Sequence, residues 1–130
     1  MPSPISAKEA TQEFQREAQA LWEEMNRWWN EHPQATLKEI EQHLRPLRRR
    51  FGAKLVELQA LQRGAGALDQ LPRCPKCGQQ MEDKGIQEKL AVGIEIEGRL
   101  PYAYYHCPHC GEGFSPPQEA VAVDKAESVD

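Results

Sequence analysis

Four cysteines, the only ones in a chain of 130 residues, stand as two hooks, Cys74-Pro75-Lys76-Cys77-Gly78 and Cys107-Pro108-His109-Cys110-Gly111. A C-x2-C pair curls the backbone until both sulfurs reach one ion. The glycine after each second cysteine lets the chain turn tightly while its amides face the thiolates. Two hooks complete a tetrahedron, so Cys74, Cys77, Cys107 and Cys110 are the expected ligands of one structural zinc ion. The 29 residues between the hooks leave room for short strands, which is the layout of a zinc ribbon rather than of a finger ending on histidines. Two disulfides or four free thiols are the alternatives. The first residues, MPSPISAKEA, hold no apolar signal core, and paired hooks then belong to a reducing compartment, so a cytoplasmic location is expected. His106 and His109 flank the second hook. Four thiolates already saturate a structural site, which leaves the two histidines to pack or hydrogen-bond beside it.

A chain this short makes one modest domain or two small units, and metal or helix packing must compensate for a limited core. No run of about 18 apolar residues occurs, so no membrane partner is expected. The formal net charge is -4, and thiolates bound to a divalent ion make the protein more acidic still. Such a balance argues against indiscriminate binding of nucleic acid.

The expected fold class is α+β. Ser6-Ala7-Lys8-Glu9 is a capping box that starts a helix, and Ala7, Ala10, Phe14, Ala18, Leu21, Met25 and Trp28 then form one apolar stripe. Trp22 and Trp29 lie on its flank, and Pro33 ends it. A second capping box, Thr36-Leu37-Lys38-Glu39, opens a helix whose stripe is Leu37, Ile40, Leu44, Leu47, Phe51, Leu55 and Leu58. The two helices should pair as an antiparallel hairpin. Pro46 interrupts the second helix at a cost of about 3 kcal/mol and predicts a kink or a restart; the unbroken phase of the stripe favours the kink. Gly64-Ala65-Gly66 stops the helix.

Between the hooks, Lys84-Gly85 reads as a turn. Leu90, Val92, Ile94 and Ile96 alternate with Ala91, Gly93, Glu95 and Glu97, the period of a strand with one face covered. Gly98 then turns the chain into a strand through Tyr102-Ala103-Tyr104-Tyr105. The resulting organisation is an antiparallel helical hairpin at 1–66, a small antiparallel β zinc ribbon at 67–118 and a disordered acidic tail at 119–130.

Trp22, Trp28 and Trp29 are more than a lone helical hairpin can bury, so they are candidates for an interface with the ribbon, with another protein or with a second copy of the chain. Arg45, Arg48, Arg49, Arg50 and Lys54 form the only dense basic cluster, and with Lys38 it could meet phosphates, Lys38, Arg45, Arg48 and Arg49 being the candidates; a solvated helix face diluted by Glu39, Glu41 and Glu57 is the alternative. No catalytic set and no Gly-rich phosphate loop is visible, and no small-molecule substrate is expected.

Several of these residues recur in one known context. Glu31-His32-Pro33-Gln34-Ala35-Thr36, Glu39-Ile40-Glu41 and Leu44 through Phe51-Gly52 precede the first hook, and Tyr104-Tyr105-His106, the second hook and Glu112-Gly113-Phe114-Ser115-Pro116 close the series. In that order they resemble the N-terminal region of Kra-type insertion-sequence transposases, over most of residues 20–118. In that family a helical stretch, a ribbon and a knuckle precede a DDE nuclease domain. The resemblance implies a DNA-transposition context, with DNA or a transposase as partner and with Cys74, Cys77, Cys107 and Cys110 as ligands by position. The segment from Glu82 to Lys89 is mixed in charge where the family tends to be basic. Because none of the DDE domain is present, the chain is expected not to be an enzyme. The alternatives are a repurposed protein–protein interaction module, either adaptor or dimerisation unit, and a rubredoxin-like electron carrier with iron on the same sulfurs.

Overall fold

The computed structural model describes residues 5–117 and, as backbone, Ser128 and Val129. Helix α1 spans Ala7–Glu31 and helix α2 spans Leu37–Gln62. Both start as their capping boxes dictate: Ser6 and Thr36 accept from the amides of Glu9 and Glu39, and those glutamates return a bond to the cap amides. The helices pair through Phe14 on Phe51, ring centroids 5.4 Å apart, and Trp28 on His43 at 4.4 Å. Arg50 clamps one edge of the pair, 2.8 Å from Glu24 and 3.5 Å from Glu17. That guanidinium holds the Glu24 carboxyl below its usual range. Pro46 does not restart the helix. It is exposed, and α2 runs unbroken through it, because water can take the Gln42 carbonyl that proline leaves without a donor.

A single 3₁₀ turn, Gly64–Gly66, ends the helical half, with Ala65 fully buried in the left-handed region at φ 54°. Strand β1, Glu82–Val92, pairs antiparallel with β2, Glu97–His106, and β2 pairs with the short β3, Gly113–Phe114. Of the tail expected to be disordered, Ser128 and Val129 form β4, paired with Ala91 and Leu90; its other residues lie outside those described.

The ribbon corrects three local expectations. Lys84-Gly85 is a bulge inside β1 rather than a turn: Gly85, at φ 80°, donates its amide to Asp83 Oδ1 (2.7 Å), and the register with β2 shifts there without breaking the ladder. The strand predicted through Ile96 ends at Val92, and residues 93–96 form the hairpin loop, closed by the Gly93 amide on the Ile96 carbonyl (2.8 Å). Arg49 on α2 decides this, since its Nη2 donates to the carbonyls of Gly93 (2.6 Å) and Ile96 (3.4 Å) and so takes the groups a continued ladder would use. Gly98 is not a turn but a position within β2, where its missing side chain lets Ala53 of α2 approach; a Cβ there would stand 2.7 Å from the Ala53 methyl.

The core is small. Leu47, Leu58 and the methyls of Ala10, Ala53 and Ala60 are buried in the helical half, and Met81, Ala103, Tyr105, Cys74 and Cys107 form a cluster under the hooks with Ala67, Leu68 and Phe114 against it. The Tyr105 hydroxyl accepts from the Leu68 amide (2.9 Å), tying the segment after α2 to the ribbon. Leu37, Leu44 and Leu55, assigned to the buried stripe of α2, are exposed instead: α1 packs on the side of Phe51 and the ribbon on the side of Gly52 and Ala53, and neither covers these three leucines.

Candidate metal centre

Each hook is built the same way. Gly78 donates to the Cys74 carbonyl and Gly111 to the Cys107 carbonyl, both at 2.9 Å, while the Cys74 and Cys107 amides donate to Gln79 and Glu112, both at 2.8 Å. Gly78 and Gly111 sit at φ 76° and 82°, a conformation that a side chain disfavours. Lys76 of the first hook bridges to Glu112 of the second (3.1 Å). Pairing of Gly113 and Phe114 with His106 and Tyr105 then fixes the second hook to the sheet. Glycine at 113 leaves room for the Tyr104 phenol, which would have to swing aside for a Cβ there.

The four sulfurs lie within 4.8 Å of one another, with Cys74 to Cys110 at 3.3 Å and Cys77 to Cys107 at 3.5 Å. Disulfide bonding needs about 2.0 Å, and all four cysteines are free. Four sulfurs each about 2.3 Å from a central ion would stand about 3.8 Å apart, a little more than these two separations and inside the 4.8 Å that encloses all four. The cluster can therefore hold a metal ion. Neither His106 nor His109 belongs to it. His106 lies instead in a shallow depression of the ribbon with Lys84, Gln87, Tyr102 and Tyr104, and His109 is exposed.

The electrostatics of the metal-free cluster call for a cation. The Cys77 amide, followed by the Lys76 amide, lowers the Cys74 thiol to about 6, and the Cys110 amide leads the lowering of Cys107. At Cys110 the Glu112 amide acts the same way, but Cys74, burial and the remaining cysteines outweigh it and push the thiol up to about 12. Cys77 is raised too: the Gln79 amide lowers it, while burial, Cys107 and Cys74 act in the other direction. Amides thus stabilise two thiolates, and those two resist further ionisation beside them. An ion must displace the protons that Cys77 and Cys110 retain, so protons compete with it and apparent affinity rises with pH. Zinc affinity measured against a chelating indicator should weaken steadily from about pH 8 to about pH 6. Affinity independent of pH would contradict ligation by these thiols.

Comparison with protein families, with curated proteins and with solved structures finds no match to this chain. Its chemistry is therefore read from its own residues.

The remaining predicted residues fall into two groups. Lys38, Arg45 and Arg48 line one groove with Glu41, Gln42, Leu44, Ile94 and Glu95. Arg49 does not join them, being turned onto the hairpin-loop carbonyls with Glu97 at 3.8 Å from its Nη1. Trp28 is half-buried between two imidazoles, stacked on His32 at 4.6 Å and on His43 at 4.4 Å, whereas Trp22 and Trp29 are exposed. Ile94 is the groove residue that the sequence pattern hid. Its place in an alternating run signalled a strand, and only the loop at 93–96 brings it out beside Leu44. Among the described residues no helix is long and apolar enough to cross a membrane.

Proposed function

We propose that this chain is a non-catalytic zinc-stapled assembly module of the kind that precedes the DDE domain in Kra-type transposases. In this reading the ion shapes the ribbon, the ribbon supports α2, and the helical hairpin meets the partner. Zinc is the ion that a closed set of four thiolates suits best in a structural role, and such a set leaves no coordination position open for chemistry.

The observation that carries the choice of a protein partner over DNA is the composition of the groove. Lys38, Arg45 and Arg48 share it with Glu41 and Glu95 and with the apolar Leu44 and Ile94, while Arg49 serves the fold. A phosphate-tracking surface is enriched in cations and gains nothing from acids or exposed aliphatic side chains. Mobility-shift assays with duplex DNA at about 0.15 M salt should accordingly show no retained complex. Retention that weakens steeply with salt and is lost on combined Lys38→Glu, Arg45→Glu and Arg48→Glu substitution would overturn the choice and make the groove a DNA contact. For the transposition context, a DDE domain encoded immediately downstream, in or out of frame, is the expected genomic observation.

A further inference from the structure

Among the described residues seven large apolar side chains are exposed, and six of them fall on one side of the molecule: Trp22 (64% exposed), Trp29 (52%), Leu37 (70%), Leu44 (41%), Leu55 (43%) and Ile94 (82%). Helical phase places them together. Successive residues turn by about 100°, and on α1 the line facing α2 runs through Phe14 and Trp28, which stack on Phe51 and His43. Glu17 and Glu24 lie to one side of that line, where Arg50 holds them. Trp22 and Trp29 lie about 80–100° to the other side. On α2 the line facing α1 runs through Leu47, Phe51 and Leu58. Arg50 lies to one side of it, and Leu37, Leu44 and Leu55 lie about 40–60° to the other. In an antiparallel pair these phases bring the tryptophans and the leucines to one edge, opposite the Arg50 clamp. Ile94 extends that edge, because it shares the groove of Leu44.

We propose that this edge is a self-association surface and that its occupant is the same edge of a second copy of this chain; the proposal rests on the assembly reading above and names its partner. Charge selects that occupant. Lys38, Arg45 and Arg48, and equally Glu41 and Glu95, make no ion pair among the described residues, although they line one groove. Elsewhere among the described residues Arg16, Arg49, Arg50, Lys54, Lys76 and Lys84 have acids beside them and other surface cations such as Arg27 and Arg99 do not; what sets the groove apart is that unpaired charges of both signs share it with exposed Leu44 and Ile94. A patch that carries both signs unpaired complements itself when a two-fold axis rotates it onto its copy, setting cations opposite acids and tryptophans opposite leucines. Nucleic acid would instead place Glu41 and Glu95 against phosphates. The core adds a reason for burial there. Its largest fully buried side chains are only Tyr105, Met81 and Cys107, and two of the three tryptophans, Trp22 and Trp29, are left outside. A domain of this size gains most from covering them.

Sedimentation equilibrium of the zinc-loaded full chain, from about 1 to about 100 μM, tests the proposal. The expected mass at the upper end is twice 14.8 kDa. Combined Trp22→Glu and Trp29→Glu substitution, at side chains the fold does not bury, should weaken the dimer at least about 30-fold with helical circular dichroism unchanged. Arg45→Glu with Arg48→Glu should do likewise, as should Glu41→Arg with Glu95→Arg. An equimolar mixture of the two charge-reversed chains should associate again, which self-complementarity alone requires. A wild-type chain that stays at 14.8 kDa throughout would overturn self-association. So would a dimer indifferent to the tryptophan pair, or charge-reversed chains that fail to associate when mixed. A monomer that binds no DNA would leave the assembly reading in need of another partner, whereas DNA binding lost with Trp22 and Trp29 would overturn both.

Discussion

Cys77→Ser should release the ion, unravel the ribbon and leave the two helices standing as a loosened hairpin. The size of the effect follows from where the binding free energy goes. A structural zinc site supplies about 10–16 kcal/mol in small metal-folded units, comparable with the whole stability of a domain, about 5–15 kcal/mol. Here the sulfurs sit over the cluster of Met81, Ala103 and Tyr105, so losing the ion removes the lid of the ribbon core and not merely a surface staple. The helices have their own means of persisting: two capping boxes, the Phe14–Phe51 and Trp28–His43 contacts, and the Arg50 clamp on Glu17 and Glu24. They will not persist unchanged, because α2 loses the strand that covers Ala53. We therefore expect more than half of the helical ellipticity to remain at 25 °C, a lower and broader melting transition, loss of dispersed amide signals from 74–114, and new binding of a hydrophobic dye. Ellipticity that vanishes together with the metal would show instead that ribbon and helices fold as one cooperative unit.

A second large effect is expected where α2 crosses β2. Gly98 and Ala53 meet with no room for a further carbon, and Gly52 is equally close to Ile96, where a Cβ would stand 2.8 Å from the Ile96 methyl. Gly98→Val must push the helix off the strand, strain the Arg49 bonds to the hairpin loop and open the contact along its length. Overpacking of this kind costs about 1–3 kcal/mol, and the backbone on both sides of the contact argues for the upper end. In a chain of this size about 3 kcal/mol lowers the melting temperature by roughly 10 °C. The steric cause has its own signature. Gly98→Ala alone should destabilise, Ala53→Gly alone should cost about 1 kcal/mol from helix propensity, and the double variant, which moves one methyl across the interface, should be more stable than the sum of the two requires. Strict additivity would mean that the two residues do not share the space.

What was legible in the sequence was local chemistry with short-range causes. Both helix starts are written in capping boxes whose partners lie three residues apart, and the hooks are self-contained turns that need only their own glycines. The errors lie where a distant residue decides. Leu90 through Ile96 has the period of a strand, yet Arg49, more than forty positions upstream, takes the carbonyls of Gly93 and Ile96 and turns the second half of that run into a loop. Gly98 has the look of a turn residue because glycine is the usual occupant of turns. Its actual reason is the Ala53 methyl, which no local pattern reveals. Lys84-Gly85 was a milder case: glycine was needed for its positive φ, but the Asp83 carboxylate let the strand absorb it as a bulge. The basic cluster divided for the same reason, Arg49 going to the fold and Lys38, Arg45 and Arg48 to an exposed groove. The tryptophans were rightly in excess of what the hairpin could bury, but Trp28 found its cover in His32 and His43 while Trp22 and Trp29 did not.

We infer that one ion, held by four thiolates and nothing else, shapes this ribbon. Cobalt(II) titration of the reduced, metal-free protein examines it most directly, since the absorption of that ion reports its geometry and its sulfur ligands together. Saturation is expected at one equivalent, with the intense charge-transfer and visible bands of a tetrahedral tetrathiolate site, regain of ribbon structure in step with the bands, and full displacement by one equivalent of zinc to a colourless protein. Saturation at another stoichiometry, a weak spectrum of octahedral type, or bands that survive Cys77→Ser would contradict it.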